Sequence, residues 1–118
     1  MRLAIVGSRD YTNYNEFKQY IDRWISKNGR PKLIVSGGAQ GADKLAEQYA
    51  RANVIKTQIF KADWQTYGRA AGPMRNTEIV DNSDAIIAFV GPKSVGTLDT
   101  IQKAKLQNKL VKIINVEC

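Results

Sequence analysis

Five short apolar runs punctuate the chain, and between them apolar residues recur every three or four positions. The runs are Arg2–Val6, Leu33–Val35, Lys56–Phe60, Asp84–Val90 and Leu110–Val116. Short runs bounded by turn residues read as strands; spacing of three and four reads as the inward stripe of a helix. Phe17, Tyr20, Ile21, Trp24 and Ile25 form one such stripe, and Ala42, Leu45, Ala46, Tyr49 and Ala50 a second. Met74–Asp81 reads as a third helix, with Pro73 suited to its first position. Val95–Asn108 reads as a fourth, with Leu98, Ile101 and Ala104 inward. Asn13 and Glu16 have capping-box spacing, and Asn28-Gly29-Arg30-Pro31 is a stop signal. Lys56–Phe60 alternates and is less apolar, so it belongs at an edge, whereas Asp84–Val90 reads as central.

Strand and helix alternate five times, which calls for an α/β, Rossmann-like three-layer sandwich: one domain over residues 1–118, a five-stranded parallel sheet, helices on both faces. The glycine-rich or polar loops follow Val6, Val35, Phe60 and Phe89. They therefore gather at the carboxyl edge of the sheet, where open α/β sheets bind ligands.

Composition narrows the chemistry. Histidine is absent, which removes His general acid–base catalysis, the Ser-His triad and a Cys/His zinc site; no metal is expected. The one cysteine, Cys118, cannot form an internal disulfide, in keeping with a reducing cytoplasm. No stretch is apolar enough to span a membrane, and no signal peptide is expected. The net charge of +7 points to anionic partners. Lys103, Lys105, Lys109 and Lys112 contribute to it and read as a solvated face and helix C-terminal charge rather than a DNA track.

The stretch Leu33–Asp43 is strand, glycine turn and helix start, a device that can hold an anion on free N–H groups. It fits neither the Walker spacing nor the dinucleotide fingerprint. The candidate binding residues are Ser36, Gly37, Gly38, Gln40, Gly41 and Asp43 here, and Gly7, Ser8 and Arg9 after the first strand. Gly91, Ser94, Gly96 and Thr97 follow the fourth strand, with Lys93 in the same turn. Arg75 is a cation in a helix's first turn, where the dipole disfavours it, so a ligand or a carboxylate such as Asp10 is its expected partner. Asn76 reads a base edge or caps a loop. Trp64, near Tyr67 and Arg69, stacks on a base or plugs the loop to the core. Asp43 and Asp99 stand beside the glycine turns, as ribose ligands, a general base, or charge at a helix start.

The segments Ile5-Val6-Gly7-Ser8-Arg9, Val35–Asp43, Trp64 with Tyr67-Gly68, Gly72-Pro73-Met74-Arg75-Asn76 and Gly96-Thr97 resemble the SLOG superfamily, in order and over almost the whole chain. The nearest branch is that of small stand-alone bacterial and phage members. The resemblance implies a Rossmann-like fold that binds nucleotide-derived ligands. Members include LOG-type phosphoribohydrolases, the single-strand DNA-binding protein DprA, and sensor domains for ADP-ribose-type signals. Arg75 aligns with the catalytic-type arginine of the LOG enzymes. Their Gly-Thr-x-x-Glu is departed from here, since Thr100 stands where the glutamate belongs. Asp99 lies one position early, about 100° around the helix.

The expectation is therefore a binding protein without a cofactor. It would sense or sequester a phosphate-bearing small molecule, such as a cyclic or ADP-ribose-like signal, in a phage as an anti-defence sponge. The alternatives are a LOG-like N-glycosidase, with Arg75, Asp43 and Asp99 as catalytic candidates, and DprA-like DNA binding. By the same resemblance a homo-oligomer is expected, dimer or higher, with no membrane partner.

Overall fold

In the computed structural model, which describes residues 1–118, each apolar run contributes a strand to one sheet. The elements are β1 (Arg2–Gly7), α1 (Tyr14–Asn28), β2 (Leu33–Ser36), α2 (Ala42–Ala52), β3 (Lys56–Ile59), α3 (Trp64–Tyr67), α4 (Ala71–Asp81), β4 (Ala85–Val90), α5 (Val95–Leu106) and β5 (Leu110–Asn115). The strand order is β3-β2-β1-β4-β5, every pair parallel. The order reverses between β1 and β4, so the ligand-binding crevice of such a sheet is expected above that pair. Register runs Leu3 opposite Ala85 through Gly7 opposite Phe89, which brings the loops after β1 and β4 side by side.

Two cores form because successive strand residues point to opposite faces. On one face Leu3, Ile5, Ile34 and Ile87 pack against α1 and α2 through Phe17, Ile21, Leu45 and Tyr49. On the other, Ala4, Val6, Ile86 and Ala88 meet Ile79 and Val80 of α4 and Ile101 and Ala104 of α5. Alanines on β1 and β4 let the second pair of helices approach closely. Phe89 stacks on Phe17 at 4.8 Å and on Tyr11 at 5.4 Å between ring centres. Tyr11 follows the β1 loop directly, so this stack pins the loop to the core.

The first helix starts as its spacing predicts, with the Asn13 side chain accepting from the Glu16 N–H at 3.1 Å. All four residues of β3 are exposed, as an edge strand requires, and β4 is flanked on both sides and buried along nearly its whole length. Some boundaries differ. The expected loop before Pro73 is largely helical: Asp63 caps a turn at Trp64–Tyr67, a 3₁₀ turn covers Gly68–Ala70, and α4 begins at Ala71. Pro73 is thus the third helical residue, still among those whose N–H needs no partner, and Arg75 lies just beyond the first turn. Asp84 stays outside β4, where its carboxylate accepts from the Arg2 N–H at 2.8 Å; hydrogen bonds and charge from Arg2 hold its pKa near about 2. The helix ends at Leu106 rather than Asn108, which has φ of 56°, and β5 ends at Asn115 rather than Val116. Leu98, expected inward, is 54% exposed, because the buried stripe of α5 is Thr97, Thr100, Ile101 and Ala104.

Within the expected lysine cluster, two members are committed to the fold. Lys103 donates to Asp99 at 2.8 Å and to the Pro73 carbonyl at 2.7 Å. Lys109 donates to the carbonyls of Val80 and Ser83. No helix is long and apolar enough to cross a membrane.

Candidate functional site

A crevice of 320 Å³ opens above the β1–β4 junction. Three loops and the helices α2, α4 and α5 build it.

The β1 loop is stitched on two sides. The Ser8 N–H donates to the Phe89 carbonyl at 2.8 Å, and the Ser8 carbonyl accepts from the Ala42 N–H at 3.0 Å. Only glycine fits at position 7: an added Cβ would stand 2.5 Å from the Phe89 carbonyl oxygen and 2.9 Å from the Ala42 methyl. Ser8 Oγ accepts from the Asp10 N–H at 3.2 Å and touches Cys118 Sγ at 3.3 Å. Arg9 is exposed at the crevice and forms no ion pair or hydrogen bond within the chain.

The β4 loop brings the start of α5 to the opposite wall. Ser94 Oγ accepts from the Gly91 N–H at 2.9 Å, which closes the turn but caps nothing in α5. The N–H groups of Val95, Gly96 and Thr97 have no partner within the chain, and Thr97 Oγ1, on a residue only 8% exposed, has none either. Uncapped donors at the positive end of a helix favour an anion. Lys93 stands beside them.

Arg75 projects from α4 across the floor. Its Nη1 donates to the Gly37 carbonyl at 2.9 Å and its Nε to Asn76 Oδ1 at 3.1 Å, which leaves Nη2 without a partner. Burial lowers its pKa, the nearby Asp43 carboxylate raises it, and the charge of Arg9 lowers it again. Two guanidinium groups thus repel each other across one crevice. Asn76 is spent on the fold: its Nδ2 donates to the Gly96 carbonyl and to Asp99 Oδ2, both at 3.1 Å, and so fixes the start of α5 relative to α4.

The glycine turn after β2 holds a carboxylate of the chain itself, while the N–H groups of Asp43 and Lys44 at the start of α2 have no partner within the chain. The anion in it is Asp43, 5% exposed, whose Oδ2 accepts from the Ala39 N–H at 3.2 Å. Burial pushes its pKa up to about 6, against the lowering effects of the Ala39 N–H and Arg75. The Ala42 N–H, first of α2, is taken by Ser8. Ser36 Oγ donates to the Asp43 carbonyl and accepts from the Gly38 N–H, each at 3.3 Å. Gly41 holds φ of 73° with Ser8 and Arg9 against it.

Of the sequence candidates, Gly7, Ser8, Arg9, Asp43, Arg75, Asn76, Ser94, Gly96 and Thr97 line the crevice. Ser36, Gly37, Gly38, Gln40, Gly41 and Gly91 lie behind its walls or beside it, and Trp64 stands apart. Trp64 is 51% exposed and rests its ring on Gly72, so it is not a core plug. Asp99 is outside the crevice, bonded to Lys103 and Asn76; burial works against these bonds, but its pKa is lowered overall. Asp10 forms no ion pair with Arg75. Val6, Ala39 and Ile79, passed over in the sequence, also line the crevice, as do Asp10 and Thr100, not read there as binding residues. Thr100 is one helical turn from Gly96, a spacing that could have placed it there. No group of three or more Asp, Glu or Cys side chains is arranged to hold a metal ion.

The model of the YspA, cpYpsA-related SLOG family matches residues 1–67. The Gene 61 protein of Mycobacterium phage D29 is 29% identical over 120 residues, covering 97% of this chain and 94% of that protein. Among solved structures, DNA processing protein A of Helicobacter pylori, described for its single-stranded DNA binding mode, superposes with a TM-score of 0.71 at 22% identity over 96% of this chain. DprA of Streptococcus pneumoniae superposes with a TM-score of 0.73 at 22% identity over 95%. The chain spans 64% and 49% of those two structures, which share its fold. With the family match extending over more than half of its residues, the chain belongs to the YspA, cpYpsA-related SLOG family, a branch of the superfamily that its motifs resemble.

Proposed function

We propose that the crevice binds a nucleotide-derived, phosphate-bearing small molecule and holds it without cleaving it. The observation that carries this reading is the convergence of unpaired donors: Arg9, the free Nη2 of Arg75, the Thr97 hydroxyl and the N–H groups of Gly96 and Thr97, with Lys93 beside them. Cations and oriented amides placed without internal partners stabilise an anion that enters from outside. A volume of 320 Å³ is at the small end for ligand pockets and suits one nucleotide unit.

Hydrolysis needs an acid or base beside the glycosidic bond. Thr100 faces the crevice where the LOG pattern carries glutamate, and Asp99 is neutralised by Lys103. Asp43 is buried and engaged by the glycine turn, so we assign it to that turn and to the charge balance of Arg75 rather than to catalysis. The further reading, that the protein sequesters a nucleotide signal in an infected cell, draws from the D29 relative its phage setting alone. Thermal denaturation against a panel of nucleotides tests binding. A ligand at 100 times its Kd adds about 2.7 kcal/mol, which raises Tm by roughly 10 °C in a domain of this size. No shift with any phosphate ligand overturns the reading. Release of free base from a nucleoside monophosphate favours the glycosidase instead.

A second reading, single-stranded DNA held by one nucleotide in the same crevice, is supported by the fold shared with DprA and by the charge of +7. Oligonucleotide affinity that falls steeply with salt while mononucleotides fail to bind decides for it. A homo-oligomer, expected from the resemblance, remains part of the proposal and is read from the mass in solution.

A further inference from the structure

A second concavity, of 610 Å³, lies on the α1 side of β5, away from the nucleotide crevice. Strand alternation directs Leu110, Lys112 and Ile114 to this face. Its wall is the outer flank of α1, where Tyr20, Trp24 and Lys27 follow one another at helical spacing. Parallel strands occur almost always with helices over both faces. Here α5 covers β5 on the far side, where Val111 joins the core with Ile101 and Ala104. On the near side Leu110 is 56% exposed, and nothing in the chain lies over it.

The rim has one sign of charge. Arg23, Lys27 and Lys112 line the groove, no carboxylate does, and none of the three forms an ion pair. Arg23 lies 5.7 Å above the Tyr20 ring, which keeps its charge at the edge of the apolar floor. A second copy of this chain, at +7, brings like charge to that rim.

We propose that this groove docks an acidic amphipathic helix of a partner protein, its apolar stripe on Leu110 and Tyr20, over a floor closed by the buried Trp24 and Ile114, and its carboxylates against the three cations. Such a helix completes the sheet's cover and matches the rim's charge, the helix-in-groove mode of recognition. The proposal is independent of what the nucleotide crevice holds.

The probe is a synthetic 18-residue helix with leucines at i, i+3, i+4 and i+7 and glutamates elsewhere, titrated into the full chain and followed by amide NMR. The expected result is shifts confined to Tyr20–Asn28 and Leu110–Ile114, with at least tenfold weaker binding to the Arg23→Glu, Lys112→Glu double variant. Leu110→Ser, an exposed position that leaves the fold intact, is expected to weaken binding severalfold. No shifts, equal binding of a scrambled peptide of the same composition, or shifts mapping to Arg9 and Arg75 would overturn the proposal. So would concentration-dependent shifts of the same residues without peptide, which would mean a second copy is the occupant.

Discussion

Arg75 donates to the carbonyl oxygen of Gly37 at 2.9 Å, joining α4 to the glycine turn through a charged fork rather than a packed side chain. A Cβ on Gly37 would stand 2.7 Å from Arg75 Nη1 and 2.8 Å from Asp43 Oδ2, so glycine there makes room for both. The contact fixes one arm of the guanidinium and leaves the other for a ligand. Lysine carries the same charge but cannot hold both contacts. Arg75→Lys is therefore expected to bind phosphate ligands about as weakly as Arg75→Ala. A hydrogen bond to a charged group contributes roughly 1.5–3 kcal/mol, so both should weaken binding by about 10- to 150-fold in calorimetric titration.

Thr97→Val removes one hydroxyl and keeps the shape. One hydrogen bond to an anion is lost while the Gly96 and Thr97 amides of α5 stay, so affinity is expected to fall about tenfold. Thermal stability of the free protein should not fall, because the Thr97 hydroxyl has no partner in the chain. A drop in Tm without ligand counts against the assignment.

Asp43 gives a pH dependence of definite sign. Its pKa rises from 3.8 when unfolded to about 6 in the fold, because burial disfavours the carboxylate. Its contribution is present in full below pH 4 and is lost as pH rises towards 6, since only the native state keeps the proton in that interval. The interval corresponds to about 3 kcal/mol. Urea denaturation from pH 4 to 7 should show wild type losing stability relative to Asp43→Asn. Parallel curves for the two proteins would contradict the assignment.

Gly41→Ala should destabilise the fold and the crevice together. At φ of 73° a side chain is strained, and a Cβ would meet the Ser8 carbonyl oxygen and stand 2.5 Å from the Arg9 carbonyl carbon. Strain and overpacking together are expected to cost about 2–4 kcal/mol, read from the denaturant midpoint at unchanged slope.

Periodicity alone placed the strands, their parallel direction and the gathering of loops at one edge, because a buried strand and an amphipathic helix each leave a repeating apolar mark. Arg9, Arg75 and Thr97 were legible for the same reason: topology puts the loops after β1 and β4 and the start of α4 on that edge. The internal partners of the glycine turn were not. Gly37–Gly41 reads as an anion loop, but the Ala42 N–H goes to Ser8 and the Ala39 N–H to Asp43. The Ser8 partner comes from the packing of the β1 loop against α2, which no local pattern records; the Asp43 partner is local, four residues on. The start of α5, Ser94-Val95-Gly96-Thr97, keeps its first N–H groups open, and there Gly96 and Thr97 are candidates in the sequence already. Leu98 shows the same limit, since rotating α5 to bury Thr97 and Thr100 turns a leucine outward.

The most direct measurement is a calorimetric titration of a nucleoside monophosphate into wild type and Arg75→Ala under identical salt. Saturable one-to-one binding to wild type, at least tenfold weaker in the variant, is the result predicted. Equal affinity for both proteins, or no binding of any nucleotide to wild type, would contradict the account.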